Sequence, residues 1–336
     1  RAMFNTLLIL ISFAVTLGLT ILVRRVLIHR AVLDRPNERS SHTVPTPRGG
    51  GWAVVLTLIA GIIIATITTK TFATYAPLIA SIVILVAVSW LDDIRGMHPL
   101  IRLVAHIGAA LLGSMVLPEH ATLFNGALPF MIDRTIIILG WAWFMNAYNF
   151  MDGIDGISGV ETVSIATGVC LVMTVAGINN PFGEILTLLL TGASLGFLCL
   201  NWYPAKIFLG DVGSVPLGYL TGFILIVLAT HGFLIPALIL PMYYLADSGI
   251  TITKRALRGE KIWQAHRQHF YQRAAAAIGR HDRVVHGIIA ANIVFIAAGM
   301  VAVGHPIIGA AIVIGVVAAL LWWMNKQDQA ARNTPV

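Results

Sequence analysis

Eleven apolar stretches of near-spanning length leave this chain few ways to fold. They run at about 3–23, 50–69, 74–91, 103–117, 135–148, 160–178, 185–200, 213–230, 232–252, 284–304 and 306–324. A helix needs about 17–25 residues to cross the hydrocarbon of a bilayer, so the fourth, fifth and seventh are short. Asp247 interrupts the ninth. Charged residues make up 11% of the chain, the mean hydropathy is +0.84, and soluble domains carry about 25% charge. No series of segments alternates with period two, which argues against a membrane barrel. The expectation is an all-α polytopic membrane protein of about eleven transmembrane helices, forming one domain over 1–336. The first stretch has only Arg1 before it and Arg24-Arg25 behind it, with no small-residue cleavage pattern, so it reads as a retained helix.

Lys and Arg orient the chain. One face would carry six in 24–49, two in 92–102, Lys206, eight in 253–283 and two in the C-terminal tail. The other would carry Arg1, Lys70 and Arg134. This predicts an N-terminus outside and a C-terminus inside. The net charge of +7 then follows from the positive-inside bias and calls for no nucleic acid; attraction to anionic lipid or substrate adds to it. Cys170 and Cys199 sit in apolar stretches and are expected to be buried thiols without a disulfide or metal role.

The informative acids gather on the inner face. "WLDDIRG" (90–96) ends the third segment. Adjacent like charges are costly without a cation, and Asp92-Asp93 suits divalent-metal or diphosphate chemistry, although a helix end with solvated acids looks the same. In "NFMDGIDGISG" (149–159), Asn149, Asp152 and Asp155 recur every three residues, which one helical turn would place on one side. Oxygen donors spaced this way favour a hard cation such as Mg²⁺, and the glycines admit a close backbone or phosphate. No Glu stands where a calcium loop of the EF-hand type needs one. "NWYPAKIFLGDVGS" (201–214) brings Gly210, Asp211 and Gly213 to the start of the eighth segment, a helix N-terminus suited to an anion and, through Asp211, to a metal bridging to it. Lys206 could meet a second phosphate. No Walker lysine loop is present.

"HRQHFYQR" (266–273) offers His266, Arg267, His269 and Arg273. Without a nearby cysteine or third ligand, phosphate, uridine or sugar contact fits them better than zinc. "SSHTVPTPRGGG" (40–51) adds His42 and Arg48 as further phosphate contacts, or else forms a plain surface turn. Asp247 is expected to pair with Lys254, seven residues on and on the same helical face; an intramembrane acid is a functional candidate by default.

Read in series, the paired acids, "NxxDGxDG", "NxxPAxxFxGDxGS" and "HxxH" resemble the polyprenyl-phosphate N-acetylhexosamine-1-phosphate transferases, over roughly residues 30–275. The resemblance implies transfer of a sugar-1-phosphate from a UDP-sugar to a lipid phosphate, usually undecaprenyl phosphate, with release of UMP and a requirement for Mg²⁺ (Mn²⁺ as a substitute). It implies Asp92, Asp93 and Asp211 as catalytic residues, with Asp211, Asp152 and Asn149 around the metal. Asp155, Asn201, Lys206, His266, Arg267, His269, Arg273, His42 and Arg48 would then contact substrate. The active site would be built from inner loops 24–49, 92–102, 149–159, 201–213 and 253–283, facing the cytoplasm across a bacterial inner membrane. A homodimer is compatible with it.

Two departures bear on the substrate. The pentapeptide translocases of the superfamily carry three consecutive histidines where this chain has His266-Arg267-Gln268-His269. The chain therefore looks more like the initiating enzymes of O-antigen and other surface glycans, with UDP-N-acetylglucosamine as the leading donor and UDP-N-acetylfucosamine, UDP-N-acetylquinovosamine or a MurNAc-pentapeptide as alternatives. The family's lysine after the paired acids is Arg95 here, which keeps charge but not acid–base capacity. Direct attack by lipid phosphate and a two-step route through an aspartyl intermediate both remain open. A transporter of anionic solutes is the rival class, but transporters place binding groups near the midplane, and here the acids collect at one face.

Overall fold

The computed structural model describes residues 2–34, 44–264 and 266–333. Thirteen helices appear among them: α1 (Ala2–His29), α2 (Gly51–Thr68), α3 (Phe72–Arg95), α4 (Pro99–Ser114), α5 (Phe130–Phe150), α6 (Ile157–Val175), α7 (Pro181–Asn201), α8 (Asp211–Thr230), α9 (Leu234–Ile239), α10 (Met242–Leu257), α11 (Phe270–Ile278), α12 (His281–Gly304) and α13 (Pro306–Asn333). A two-residue antiparallel pair, β1 (Leu33–Asp34) with β2 (Thr46–Pro47), lies between α1 and α2. By length and composition, eight of the helices can cross a membrane: α1, α2, α3, α6, α7, α8, α12 and α13. α4 is apolar but only 16 residues long, and α5 carries Asp133 and Arg134 in its first turns. The protein is an all-α polytopic membrane protein.

Ten of the eleven expected stretches each become one helix. The ninth, 232–252, becomes two, α9 and α10, parted at Leu240–Pro241. Pro241 has no N–H for the helical ladder, so the break falls there. α11 is an extra helix inside what sequence presents as a polar loop. Cys199 is exposed and Cys170 half-buried rather than buried, and neither forms a disulfide. A thiol facing lipid needs no protein cover, so apolar surroundings did not require burial.

α8 is the hub, with 94% of its apolar window buried. Its small residues let neighbours close in, the usual device where lipid supplies no drive for helix association. A Cβ at Gly51 of α2 would come within 2.3 Å of the Gly213 backbone, and one at Gly222 within 2.7 Å of the Trp141 ring. Trp141 also donates from Nε1 to the Tyr219 carbonyl at 2.8 Å and stacks on Tyr219, which fixes α5 against α8. Deep in the bundle, the Asn292 amide of α12 donates to Glu161 of α6 at 2.8 Å, and both residues are buried. α1 lies at the periphery and seats on Gly192 and Gly196 of α7, where a Cβ would meet Ser12 and Phe13. Because α8 is central and begins at Asp211, that carboxylate emerges at the middle of one end of the bundle.

Candidate active site

The backbone first decides which side chains can meet. The strand-like segment Phe208–Leu209 runs beside Arg48–Gly51: Gly49 and Gly50 donate to the Phe208 carbonyl at 3.1 and 2.8 Å, and Gly51 donates to Leu209 at 2.8 Å. Gly49 holds φ +125°, a conformation side chains disfavour. This is the physical use of the glycine run: it brings the Arg48 backbone alongside the entry to α8. Gly210, at φ +75°, then turns the chain into Asp211.

Carboxylates and guanidiniums alternate around that point. The Arg48 Nη2 donates to Asp211 Oδ1 at 2.9 Å and lies 3.0 Å from Asp93 Oδ1. Arg102, from α4, donates through Nη1 to Asp92 Oδ2 at 2.7 Å and stands 3.6 Å from Asp211 Oδ2. Asn149 donates to Asp211 Oδ2 at 3.4 Å and accepts from Ser214 at 2.6 Å. The paired acids thus serve different partners. Asp92 takes Arg102 and the Met97 N–H, whereas Asp93 takes Arg48 and the Val212 N–H. Burial works against the Arg48 charge, yet Asp211 and Asp93 hold its pKa above the ordinary value.

A cavity of ≈ 460 Å³ opens beside this cluster. Arg48, Asn149, Asp152, Asp155, Asn201, Asp211, His266 and His269 border it, as do four residues that sequence reading missed: Asp34, Arg102, Gln272 and His281. Asn149, Asp152 and Asp155 do not share a helical turn, because α5 ends at Phe150 and Gly156 enters α6 at φ +79°; a glycine-rich loop brings them to one cavity instead. Asp152 accepts from Ser158 at 2.7 Å. Burial pushes its carboxyl up to about 7, with Asp211 and Asp93 adding to the shift against the Ser158 hydrogen bond. Asp155 and Asn201 hold the loops together. Asp155 accepts from the Ala205 N–H at 2.9 Å and faces His281 Nδ1 at 3.3 Å. Asn201 accepts from Gly156 N–H at 3.0 Å and donates to Ile207 at 2.9 Å.

The histidine loop is organised by Asp247, and not through Lys254. Asp247 accepts from the Phe270 and Tyr271 N–H groups at 3.1 and 3.2 Å, from Tyr243 at 3.1 Å, from Thr251 at 3.2 Å, and contacts His269 Nδ1 at 3.0 Å. The first N–H groups of a helix lack partners within it, and a buried carboxylate satisfies two of them for α11. Lys254 lies over the Phe270 ring instead, 5.2 Å from its centroid. His269 is buried beside the cavity and its Nε2 has no hydrogen-bond partner. His266 stacks on it with centroids 4.8 Å apart. Burial, then His269 and Arg255, push the His266 imidazole down to about 4, so it is neutral at physiological pH.

Three expected contacts fall elsewhere, and a fourth cannot be placed among the described residues. Lys206 is exposed and outside the cavity lining. Arg273 pairs with Asp328 of α13 at 2.9 Å, and Arg267 borders a different cavity. His42 lies outside the described residues. Arg95 is exposed, and the cation that engages Asp92 is Arg102. Arg102 could have been flagged as the second of only two cations between the third and fourth segments. Nothing in the sequence singled out Asp34 or His281. Among the described residues no three of His, Cys, Asp or Glu form a ready metal cage. Asp211, Asp152 and Asn149 nonetheless present only hard oxygen and amide groups to the cavity, a donor chemistry suited to Mg²⁺.

Such a fold, with alternating acids and guanidiniums at one end of its central helix, defines a membrane protein equipped for phosphate-bearing substrates. Residues 75–229 match the family model described as glycosyl transferase family 4. The chain is 28% identical over 282 residues to a probable undecaprenyl-phosphate N-acetylglucosaminyl 1-phosphate transferase of Bacillus subtilis, covering 80% of this chain and 76% of the relative. It is 27% identical over 366 residues to the decaprenyl-phosphate N-acetylglucosaminephosphotransferase of Mycolicibacterium smegmatis, covering 93% and 86%. A shorter match, 36% over 123 residues and 32% of each chain, is to the phospho-N-acetylmuramoyl-pentapeptide-transferase of Solibacter usitatus. The family match and the names of these relatives fit the polyprenyl-phosphate hexosamine-1-phosphate transferase superfamily and support a phospho-sugar transferase.

Proposed function

We propose that the protein transfers N-acetylhexosamine-1-phosphate from a UDP-sugar, with N-acetylglucosamine the leading sugar, to undecaprenyl phosphate at the cytoplasmic face of a bacterial inner membrane, and so starts a lipid-linked surface glycan. The observation that carries this reading is the cluster of Asp92, Asp93 and Asp211 interleaved with Arg48 and Arg102 beside a cavity of ≈ 460 Å³. Both substrates are anions that repel one another. Two guanidiniums within reach of one cavity can each take phosphate oxygens through paired N–H donors. The carboxylates hold those guanidiniums in place, so that little reorganisation is needed when charge develops.

In the proposed step a lipid phosphate oxygen attacks the β-phosphorus of the UDP-sugar. The bond from that phosphorus to the bridging oxygen breaks, and the oxygen leaves with UMP. Asp211, Asp152 and Asn149 would hold Mg²⁺, which supplies neutralisation of the diphosphate. His269, held by Asp247, borders the cavity and would offer its unpartnered Nε2 to the donor. Engagement of both Asp92 and Asp93 by guanidinium groups supports direct attack over a covalent aspartyl route, since a paired carboxylate is a poor nucleophile.

The test is UMP release by purified protein given undecaprenyl phosphate, a divalent ion and a panel of UDP-N-acetylhexosamines. Asp211→Asn is expected to lower the rate by about a thousandfold, the scale of losing a main electrostatic group. Activity retained in Asp211→Asn, or no turnover with any UDP-sugar, would sink the proposal. A radiolabelled protein adduct formed without acceptor lipid would replace direct attack by the two-step route.

A further inference from the structure

Arg273 points away from the active-site cavity, and its surroundings form a second one. This cavity, of ≈ 450 Å³, is bordered by Lys254, Arg258, Arg273 and Arg332, with Gln268 and Asn325 supplying neutral polar groups. No carboxylate lies among its described lining residues. An adjoining cavity of ≈ 350 Å³ shares Arg273 and Arg332 and brings in Asp328. That single acid serves two guanidiniums, Arg273 at 2.9 Å and Arg332 at 3.1 Å. The contact of Arg258 with Glu260 is long, at 3.9 Å. Lys254 and Arg273 both stand over the Phe270 ring, 5.2 and 4.9 Å from its centroid.

A merely solvated basic face spreads its cations apart, because like charges at short range repel. Here four border one cavity, and the Arg273 Nε is buried without an acceptor. Excess positive charge, an unused N–H donor and room for a group of several oxygens call for a phosphate. Its source follows from position. α13 carries exposed Trp322 with Lys326 over its ring at 5.2 Å, and Trp with Lys marks headgroup depth. Asn325 is about one turn further on, and Leu257, beside Arg258, is 83% exposed. The cavity therefore sits where lipid phosphates are already concentrated, and basic pockets between membrane helices recognise such headgroups.

We propose that this basic cavity between α10, α11 and α13 binds the phosphodiester headgroup of an anionic phospholipid, separately from the donor and acceptor of the transfer reaction. The bound headgroup would bridge α10 to α13 across Arg273 and so brace α11, which carries the histidine loop at its N-terminus. The proposal does not depend on the transferase reading.

Native mass spectrometry of the full chain in a neutral detergent tests it, with phosphatidylglycerol and phosphatidylcholine offered at equal concentration. Phosphatidylglycerol is expected to be retained at least about tenfold more. Lys254→Gln and Arg258→Gln, both at exposed positions, should each reduce retention about fivefold, the equivalent of about 1 kcal/mol per cation. Lys70→Gln, near the opposite ends of the helices, should leave it unchanged. Melting curves confirm that each variant is folded, and either single variant suffices if the other is not. Equal retention of both lipids, or loss that does not discriminate Lys254 and Arg258 from Lys70, overturns the proposal. Displacement of phosphatidylglycerol by millimolar inorganic phosphate would overturn the lipid assignment in favour of a free-phosphate site.

Discussion

Arg48→Met removes one guanidinium from between two carboxylates and keeps most of its aliphatic stem. The Nη2 it deletes lies 2.9 Å from Asp211 and 3.0 Å from Asp93. The two acid oxygens are therefore no more than about 6 Å apart, where unit charges repel by about 3 kcal/mol at an effective dielectric of about 20 and by about 0.7 kcal/mol in water. The Arg48 side chain is 44% exposed, so the repulsion unmasked falls between these limits. A divalent ion bound at the acids relieves that repulsion. Affinity for Mn²⁺ in the substrate-free variant should then rise by about three- to a hundredfold. Electron paramagnetic resonance of free Mn²⁺ measures this without turnover. In the same variant kcat/KM for the UDP-sugar should fall, because a phosphate ligand has gone. Unchanged or weaker Mn²⁺ binding refutes the reasoning: the ion would sit elsewhere, or Arg48 would shape its seat instead of competing for it.

Three other perturbations follow from the contacts. His266 has its pKa depressed to about 4 in the fold, so between pH 6.5 and 4 the unfolded chain binds the proton first. Its contribution to stability is full above pH 6.5 and is lost as pH falls toward 4; His266→Gln should show a shallower drop in melting midpoint from pH 7 to pH 5, and an identical drop contradicts the assignment. Glu161→Ala strands the buried Asn292 amide and should cost about 1 kcal/mol, the scale of hydrogen bonds between membrane helices. Glu161→Gln, which can still accept that bond, should cost less, and equal losses in thermal denaturation would count against the tether. Asp247→Ala leaves the Phe270 and Tyr271 N–H groups without their acceptor, a cost of about 1–3 kcal/mol for each group left buried and unpaired. Limited proteolysis should then cut within 258–280 faster than in the wild type, whereas an unchanged cleavage pattern would show that α11 does not need its cap.

Much of the candidate site was legible in the sequence, because its chemistry is written in short local strings. Asp211 at the head of α8, the acids at the end of α3 and the loop of Asn149, Asp152 and Asp155 could be found from residue type beside apolar runs. The glycines of 49–51 could be read as a turn, though not as one laid against Phe208–Leu209. Pairing was harder. Lys254 shares a helical face with Asp247, and sequence spacing made it the natural partner; the N-terminus of α11, folded back from the following loop, reached the carboxylate first. Arg273 sits four residues beyond His269 in an apparent substrate loop, but that loop contains a helix, which turns Arg273 toward α13 while His269 borders the cavity. His281 entered the site because α12 begins beside Asp155, a contact spanning 126 residues.

Sequence alone decided that this chain lives in a bilayer, roughly where its helices lie and which loops hold its acids. Those properties depend on the solvent preference of each segment, which is local and nearly additive along the chain. Only tertiary structure decided which cation neutralises which acid, that Arg102 and not Arg95 attends Asp92, and that His266 and His269 border one cavity while Lys254, Arg258 and Arg273 border another. Those outcomes depend on distances of a few ångströms between separate helices, and such distances are set by close packing around α8 that no single segment contains.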